Sequence, residues 1–249
     1  MLLPEGVIAQ SVAIAAFPTF AALVARNQRD QLRNMLQTTL RSVLYLTLPA
    51  AVGLIWLRQP LVSALLERGA FNAQSTQATS WALMFYALGL VGHAVVEIVT
   101  RAFYALHDTR TPVIVGISTM AANAGLSLGF LALFRAVGWQ PHGGLALANS
   151  LATTAEMVVL WGLISRRWER SRDASQTGAL WRMGAGCLAM LAALVALTSA
   201  MAGAPAWLLS GAGIVVGGAI YGLVTLALGS QEPVALMRTV RRRLSASDQ

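Results

Sequence analysis

Lysine is absent from this chain of 249 residues, so arginine carries all eighteen of its basic charges. Cysteine occurs once, at Cys187, which excludes a disulfide framework and a cysteine-based metal site and leaves a small apolar packing residue. Charged residues make up only 11% of the chain. Short segments of alternating polarity, the mark of barrel strands, are missing. No basic residue precedes the first apolar run and no clear cleavage site follows it, so the start does not read as a cleavable signal peptide.

What is present is apolar: 56% of residues are hydrophobic, gathered into seven runs at 7–24, 40–57, 80–100, 112–134, 144–164, 179–201 and 207–228. Each is near the ~20 residues that a helix needs to cross ~30 Å of hydrocarbon. A water-soluble helix of that length would keep a polar face, whereas 188–197 and 208–228 are apolar or small all round. With the barrel excluded, spans in lipid must be helices, because the backbone has to satisfy its own hydrogen bonds. The expected fold class is all-α, a polytopic membrane protein of seven transmembrane helices.

The arginines then sort by connection. Arg26, Arg29, Arg33 and Arg41 lie between the first two spans, and Arg101 and Arg110 flank the turn between the third and fourth. Arg166, Arg167, Arg170, Arg172 and Arg182 fall between the fifth and sixth, and Arg238, Arg241, Arg242 and Arg243 follow the seventh. The opposite side holds only Arg58, Arg68 and Arg135. The positive-inside rule makes the fifteen-arginine face cytoplasmic, with the C-terminus on that side. A formal charge of +8 would suggest nucleic acid in a soluble protein; membrane topology accounts for it here, and no nucleic-acid partner is expected. The first span would then begin outside with no targeting element ahead of it.

Among the connections, 29–40 places Leu32, Met35, Leu36 and Leu40 at helical spacing and reads as an interfacial helix along the membrane surface. The segment 232–244 repeats the pattern with a basic face suited to anionic headgroups, or is a solvated basic tail. The polar stretch 169–177 reads as a linker dividing five spans from a final pair. On the arginine-poor side, 60–73 is expected to hold a short helix, and 138–144, with its paired glycines, to form a turn.

Ionisable and amide groups inside the spans are few, so each is informative. Asn149, Thr153 and Glu156 share one helical face at spacings of four and three, which should point into the bundle or a wet cavity. Either a cavity or ion-coupling role, or an interhelical hydrogen bond, fits. Glu97 stands one turn before Arg101 in the favourable order for an ion pair, with His93 a further turn back, and either proton or cation coupling or a plain salt bridge fits the pair. Asn123 and Gln10 are further polar positions, expected to be buried against a partner helix. Gly89, Gly92, Gly125 and Gly129 would permit close helix approach. No metal site is expected.

The stretch from Arg101 to Pro112 ends one helix and starts another: Asp108 or Thr111 can cap the new N-terminus, Pro112 suits its first turn, and Phe103 and Tyr104 sit where aromatic rings favour the headgroup layer. Phe103-Tyr104, Asp108 and Thr111-Pro112 at this spacing follow Glu67-Arg68-Gly69-Ala70-Phe71 and Phe85-Tyr86-Ala87-Leu88-Gly89. With the opening Leu3-Pro4-Glu5-Gly6-Val7 and the later Gly143-Gly144-Leu145-Ala146-Leu147-Ala148, this series resembles the MurJ (MviN) family of lipid II flippases.

The resemblance implies a transporter of the multidrug/oligosaccharidyl-lipid/polysaccharide type, with two lobes and fourteen spans, of which this sequence would supply spans eight to fourteen. It implies a five-helix second lobe at 1–168, a linker at 169–178, a terminal helix pair at 179–229 forming a groove for a polyprenyl tail, and a basic cytoplasmic tail at 230–249. It further implies that lipid II or a related polyprenyl-linked glycan, membrane lipids and the first lobe are the partners, that no cofactor is needed beyond an ion gradient or membrane potential, and that the protein lies in the bacterial inner membrane. The family's functional arginine just before the Leu-Pro motif has no counterpart, since Met1-Leu2 stand there. An intramembrane enzyme acting on a polyprenyl lipid would need clustered Asp or His residues for Mg²⁺ and a diphosphate, and His107 with Asp108 is too little. A non-transporting assembly protein, or a lobe of a related polysaccharide-lipid flippase, stays open as the alternative.

Overall fold

The structure, a computed structural model, describes residues 10–167 and 174–230, and every regular element among them is a helix. In chain order these are α1 (Ser11–Ala25), α2 (Arg29–Leu66), α3 (Ala73–Ala105), α4 (Arg110–Ala136), α5 (Pro141–Arg166), α6 (Ala174–Ala200) and α7 (Ala206–Ala227). By length and composition, six of them can cross a membrane, from α2 onward; α1 is shorter, and the start of its expected span lies outside the described residues. The chain packs as two compact units, Met1–Ser171 and Arg172–Gln249.

In the first unit α3 is the central helix, packed against α2 and α5, with α4 resting on α5 and α1 against α2 and α3. Its apolar core falls into two parts. One gathers Phe20 of α1, Leu32, Leu36 and Val43 of α2, Ile98, Val99 and Phe103 of α3, and Leu160 and Ile164 of α5. The other, at the opposite end of α3 and α5, holds Phe85, Phe134 and Ala146. Glycine sets how closely α3 and α5 approach: a Cβ on Gly89 would come 2.6 Å from Ser150 Oγ and 2.9 Å from its Cα. Ser150 in turn donates to the Phe85 carbonyl at 2.6 Å across the same contact. Gly144 likewise lets α5 meet the Phe130 carbonyl of α4, which a Cβ would approach to 2.8 Å.

Several expectations need correction. Residues 29–40 are not a separate surface helix: α2 runs unbroken for 38 residues, through Pro49 and Pro60, and the Leu32–Leu36–Leu40 stripe is buried in the core. Apolar spacing alone does not tell a core-facing stripe from an interfacial one. The expected short helix at 60–73 is absent, since α2 continues through Pro60 to Leu66 and α3 begins at Ala73, capped by Asn72 Oδ1 accepting from Ser75 N at 3.0 Å. The turn at 138–144 is shorter than expected: Gly138, at φ +77°, ends α4, while Gly143 and Gly144 already belong to α5. A Cβ on Gly125 or Gly129 would meet nothing within 4 Å among the described residues, so their small-residue spacing is not used for packing there. Phe103 is fully buried in the core.

In the second unit α6 and α7 pair through the same device, since a Cβ on Gly186 would meet Thr225 Cγ2 at 2.8 Å and the Tyr221 ring at 2.9 Å. Arg182 Nη1 donates to the Gly229 carbonyl at 3.0 Å and ties the start of α6 to the end of α7. α6 starts at Ala174, inside the expected linker; residues 169–173 of that linker and the tail beyond Ser230 lie outside the described residues.

Two substitutions separate packing glycines from idle ones. Gly89→Ala should destabilise the protein by about 1–3 kcal/mol through overpacking against Ser150, whereas Gly125→Ala should be neutral or stabilise by up to about 1 kcal/mol of helix propensity. Thermal unfolding of the purified protein in detergent, followed by circular dichroism, reads both.

Candidate functional site

A band of polar side chains crosses the first unit between its two apolar core regions. His93, on α3, sits one residue before the larger core region begins at Ala94. Asn149 Nδ2 of α5 donates to His93 Nε2 at 3.2 Å, and Thr153 Oγ1 lies 3.3 Å from the same nitrogen. The 3.6-residue repeat puts Asn149, Thr153 and Glu156 on one face of α5, and Gly92 opens α3 against it, since a Cβ there would lie only 3.4 Å from Thr153 Cγ2. Glu156 turns towards α4 instead, where Thr119 Oγ1 donates to its Oε2 at 3.1 Å. Thr119 also donates to the Gly116 carbonyl of its own helix at 3.1 Å, so the hydroxyl is shared between them.

The sequence-predicted residues therefore divide. Asn149 and Thr153 meet at His93, and Glu156 is held one turn further along α5 by Thr119. Glu97 Oε1 accepts from Arg101 Nη2 at 2.7 Å on α3, with both side chains about 30% exposed. Asn123 takes no part in the band; its Oδ1 accepts a local bond from Ser127 at 3.3 Å. Gln10 is exposed and makes no capping hydrogen bond, against the expectation of burial. Thr119 was not singled out in the sequence, because a lone threonine 37 residues from its partner leaves no periodic signal.

The hairpin between α3 and α4 is a second constellation. His107 adopts φ +60°, and the chain leaves α3 through Asp108 N donating to the Phe103 carbonyl and His107 N donating to that of Tyr104, both at 3.0 Å. This is the paired closure that ends a helix on a left-handed residue. Asp108 then caps α4: Thr111 N donates to Oδ1 at 3.0 Å and Thr111 Oγ1 to Oδ2 at 2.7 Å. Pro112 is buried just behind the cap, and Tyr104, in the last turn of α3, is half-buried. Arg167, at the end of α5, forms an ion pair with Asp108 and stacks 5.1 Å over the Phe103 ring. The Thr111 backbone N–H, then its hydroxyl, and then Arg167 hold the Asp108 carboxyl well below its ordinary 3.8, at about 2. Glu67, at the end of α2, is held low as well, by hydrogen bonds from Ser63 and Thr76.

The sequence profile of the family described as lipid II flippase MurJ matches residues 1–222. A probable lipid II flippase MurJ of Rhizobium meliloti (strain 1021) is 28% identical over 253 residues, which is 98% of this chain and 46% of that protein. The lipid II flippase MurJ of Thermosipho africanus (strain TCF52B) is 31% identical over 151 residues, covering 61% of this chain and 30% of its own length. A solved structure of lipid II flippase MurJ in an inward closed conformation matches with a TM-score of 0.73 at 25% identity, over 90% of this chain and 44% of that one. The chain thus spans about half the length of the curated relatives it matches.

The Asp108 cap has a pH signature. A carboxyl held lower in the fold than in the unfolded chain stabilises fully above the unfolded value and loses that contribution as pH falls through the folded one. Asp108→Ala should therefore cost about 1 kcal/mol at neutral pH, as lost caps do. Its deficit against the parent should shrink as pH drops from about 4 towards about 2, measured as the difference in apparent melting temperature.

Proposed function

The chain belongs to the lipid II flippase MurJ family, and from that premise we propose that it acts as the second lobe and terminal helix pair of a transporter that moves lipid II from the inner to the outer leaflet. The protein is a multi-pass membrane protein, with six described helices long and apolar enough to cross a membrane. Transport in this reading needs no covalent chemistry. Two lobes rock against each other and expose a shared cavity alternately to each side. An ion gradient or the membrane potential supplies the drive.

The observation that carries the coupling part is Glu156, the single acid on α5, held by a hydroxyl from the neighbouring helix. Acids at such a depth are costly and mark ion or proton paths when they persist. Thr119 is the positioning residue, and the His93–Asn149–Thr153 cluster continues the polar face along α5. We assign residues 1–168 to the lobe, 179–229 to a groove for the lipid tail, and 230–249 to a basic tail at the cytoplasmic surface. Leu188, Ile214, Val215 and Leu223, all exposed on α6 and α7, are the groove's apolar candidates. The arginine bias supports a cytoplasmic C-terminus.

Glu156→Gln, made in the protein together with the family's first half and reconstituted in vesicles, tests the coupling. Translocation of labelled lipid II driven by an imposed gradient should fall on the order of tenfold, equivalent to about 1.4 kcal/mol on the rate-limiting barrier. Unchanged gradient dependence overturns the role given to Glu156.

A further inference from the structure

At the arginine-poor end of the first unit, three elements line an open cleft of about 400 Å³. Arg58 and Gln59 come from α2, Gln77, Ser80 and Trp81 from α3, and Gly138, Trp139 and Gln140 from the turn into α5. The volume lies within the range of small-molecule sites, about 300–1,000 Å³. Its walls are fixed by contacts already in place. Trp81 stacks edge-on against Trp139 at 5.6 Å and Phe85 at 5.2 Å, and Trp139 against Phe134 at 5.2 Å. His142 Nε2 lies 2.9 Å from the Ala78 carbonyl and pins the start of α5 to α3.

The lining has a definite chemistry. Arg58 spends one N–H on the Ile55 carbonyl, at 2.6 Å, and among the described residues no carboxylate lines the cleft to neutralise it. The acid near the end of the same helix, Glu67, accepts from Thr76 at 2.9 Å. Three carboxamides supply both donors and acceptors, and Trp139 leaves half of its surface open. Trp81 Nε1 and Gln140 Oε1, a donor and an acceptor on two lining side chains, are buried and have no hydrogen-bond partner among the described residues. Buried polar atoms of this kind are ordinarily paired with protein, water or ligand.

We propose that this cleft binds an acidic saccharide. A sugar ring offers an apolar face to the exposed indole of Trp139, hydroxyls to Gln59, Gln77 and Gln140, and a carboxylate to the guanidinium of Arg58, which suits planar carboxylates. One cation in the lining, with no lysine anywhere in the chain, favours a singly charged group over a polyphosphate. A lining with an arginine and no carboxylate is unsuited to a cation ligand. The site is separate from Glu156, and binding is read without transport, so its failure leaves the transport reading standing.

Tryptophan fluorescence of the chain in nanodiscs, titrated with D-glucuronate, D-glucose and glycerol 3-phosphate, tests it. Glucuronate should give a saturable change, with glucose at least tenfold weaker because it lacks the carboxylate. Arg58→Gln should weaken glucuronate at least tenfold and leave glucose unaltered, and Trp139→Ala should abolish both. No saturable response to glucuronate, an equal response in Arg58→Gln, or tighter binding of glycerol 3-phosphate than of the sugar acid overturns the proposal. Unchanged circular dichroism of Arg58→Gln rules out misfolding as the cause of a loss. An alkyl glucuronide in the same nanodiscs separates the sources: tighter binding than the free acid upholds the cleft as a site for a membrane-anchored glycan, and equal binding upholds it for a soluble one.

Discussion

A helix in hydrocarbon has no water with which to satisfy a polar group, and this constraint governs most of what the first unit does with its side chains. Hydroxyls bend back on their own helices, as Thr47 does to the Val43 carbonyl at 3.0 Å and Thr154 to that of Ser150 at 2.7 Å. Groups that cannot be satisfied locally are paired between helices: Ser150 with Phe85, His93 with Asn149 and Thr153, Glu156 with Thr119. The interhelical bonds require close backbones, which is why glycine stands opposite them at positions 89 and 92. Packing and polarity are thus one design in the α3–α5 contact. Small residues bring the helices together, and hydrogen bonds fix their register.

The outer surfaces follow the opposite rule. Ile114, Ile117, Met120 and Leu128 of α4 are each more than 60% exposed, a face suited to lipid or to another lobe. The ends are closed by charge and caps instead. Asp108, Thr111 and Arg167 lock one end of the unit, and the Glu67–Thr76 bond with the Asn72 cap organises the other.

Membrane class, helix number and the polar face of α5 were legible in the sequence because they are periodic or compositional. Run length gave the spans, and the spacing of Asn149, Thr153 and Glu156 gave a common face. Connections were less legible. Pro60 reads as a breaker, yet α2 passes through it, since a proline costs a helix only one backbone bond and a local clash when packing supports the rest. Partners were not legible at all. Arg167 lies 59 residues from Asp108 and Thr119 lies 37 from Glu156, and no local pattern links such pairs before the helices are packed. The Trp81–Trp139 wall likewise depends on how α3 meets the α4–α5 turn.

The coupling role proposed for Glu156 requires water at its position on α5 and lipid at the opposite face, marked by Val158. Cysteine substituted separately for Glu156 and for Val158, in a Cys187→Ala background, decides it by labelling with a charged thiol reagent in the membrane. Val158 is 60% exposed in the isolated chain, so exposure alone would favour it. The account predicts labelling at position 156 and protection at 158; labelling at 158 with protection at 156 would contradict it.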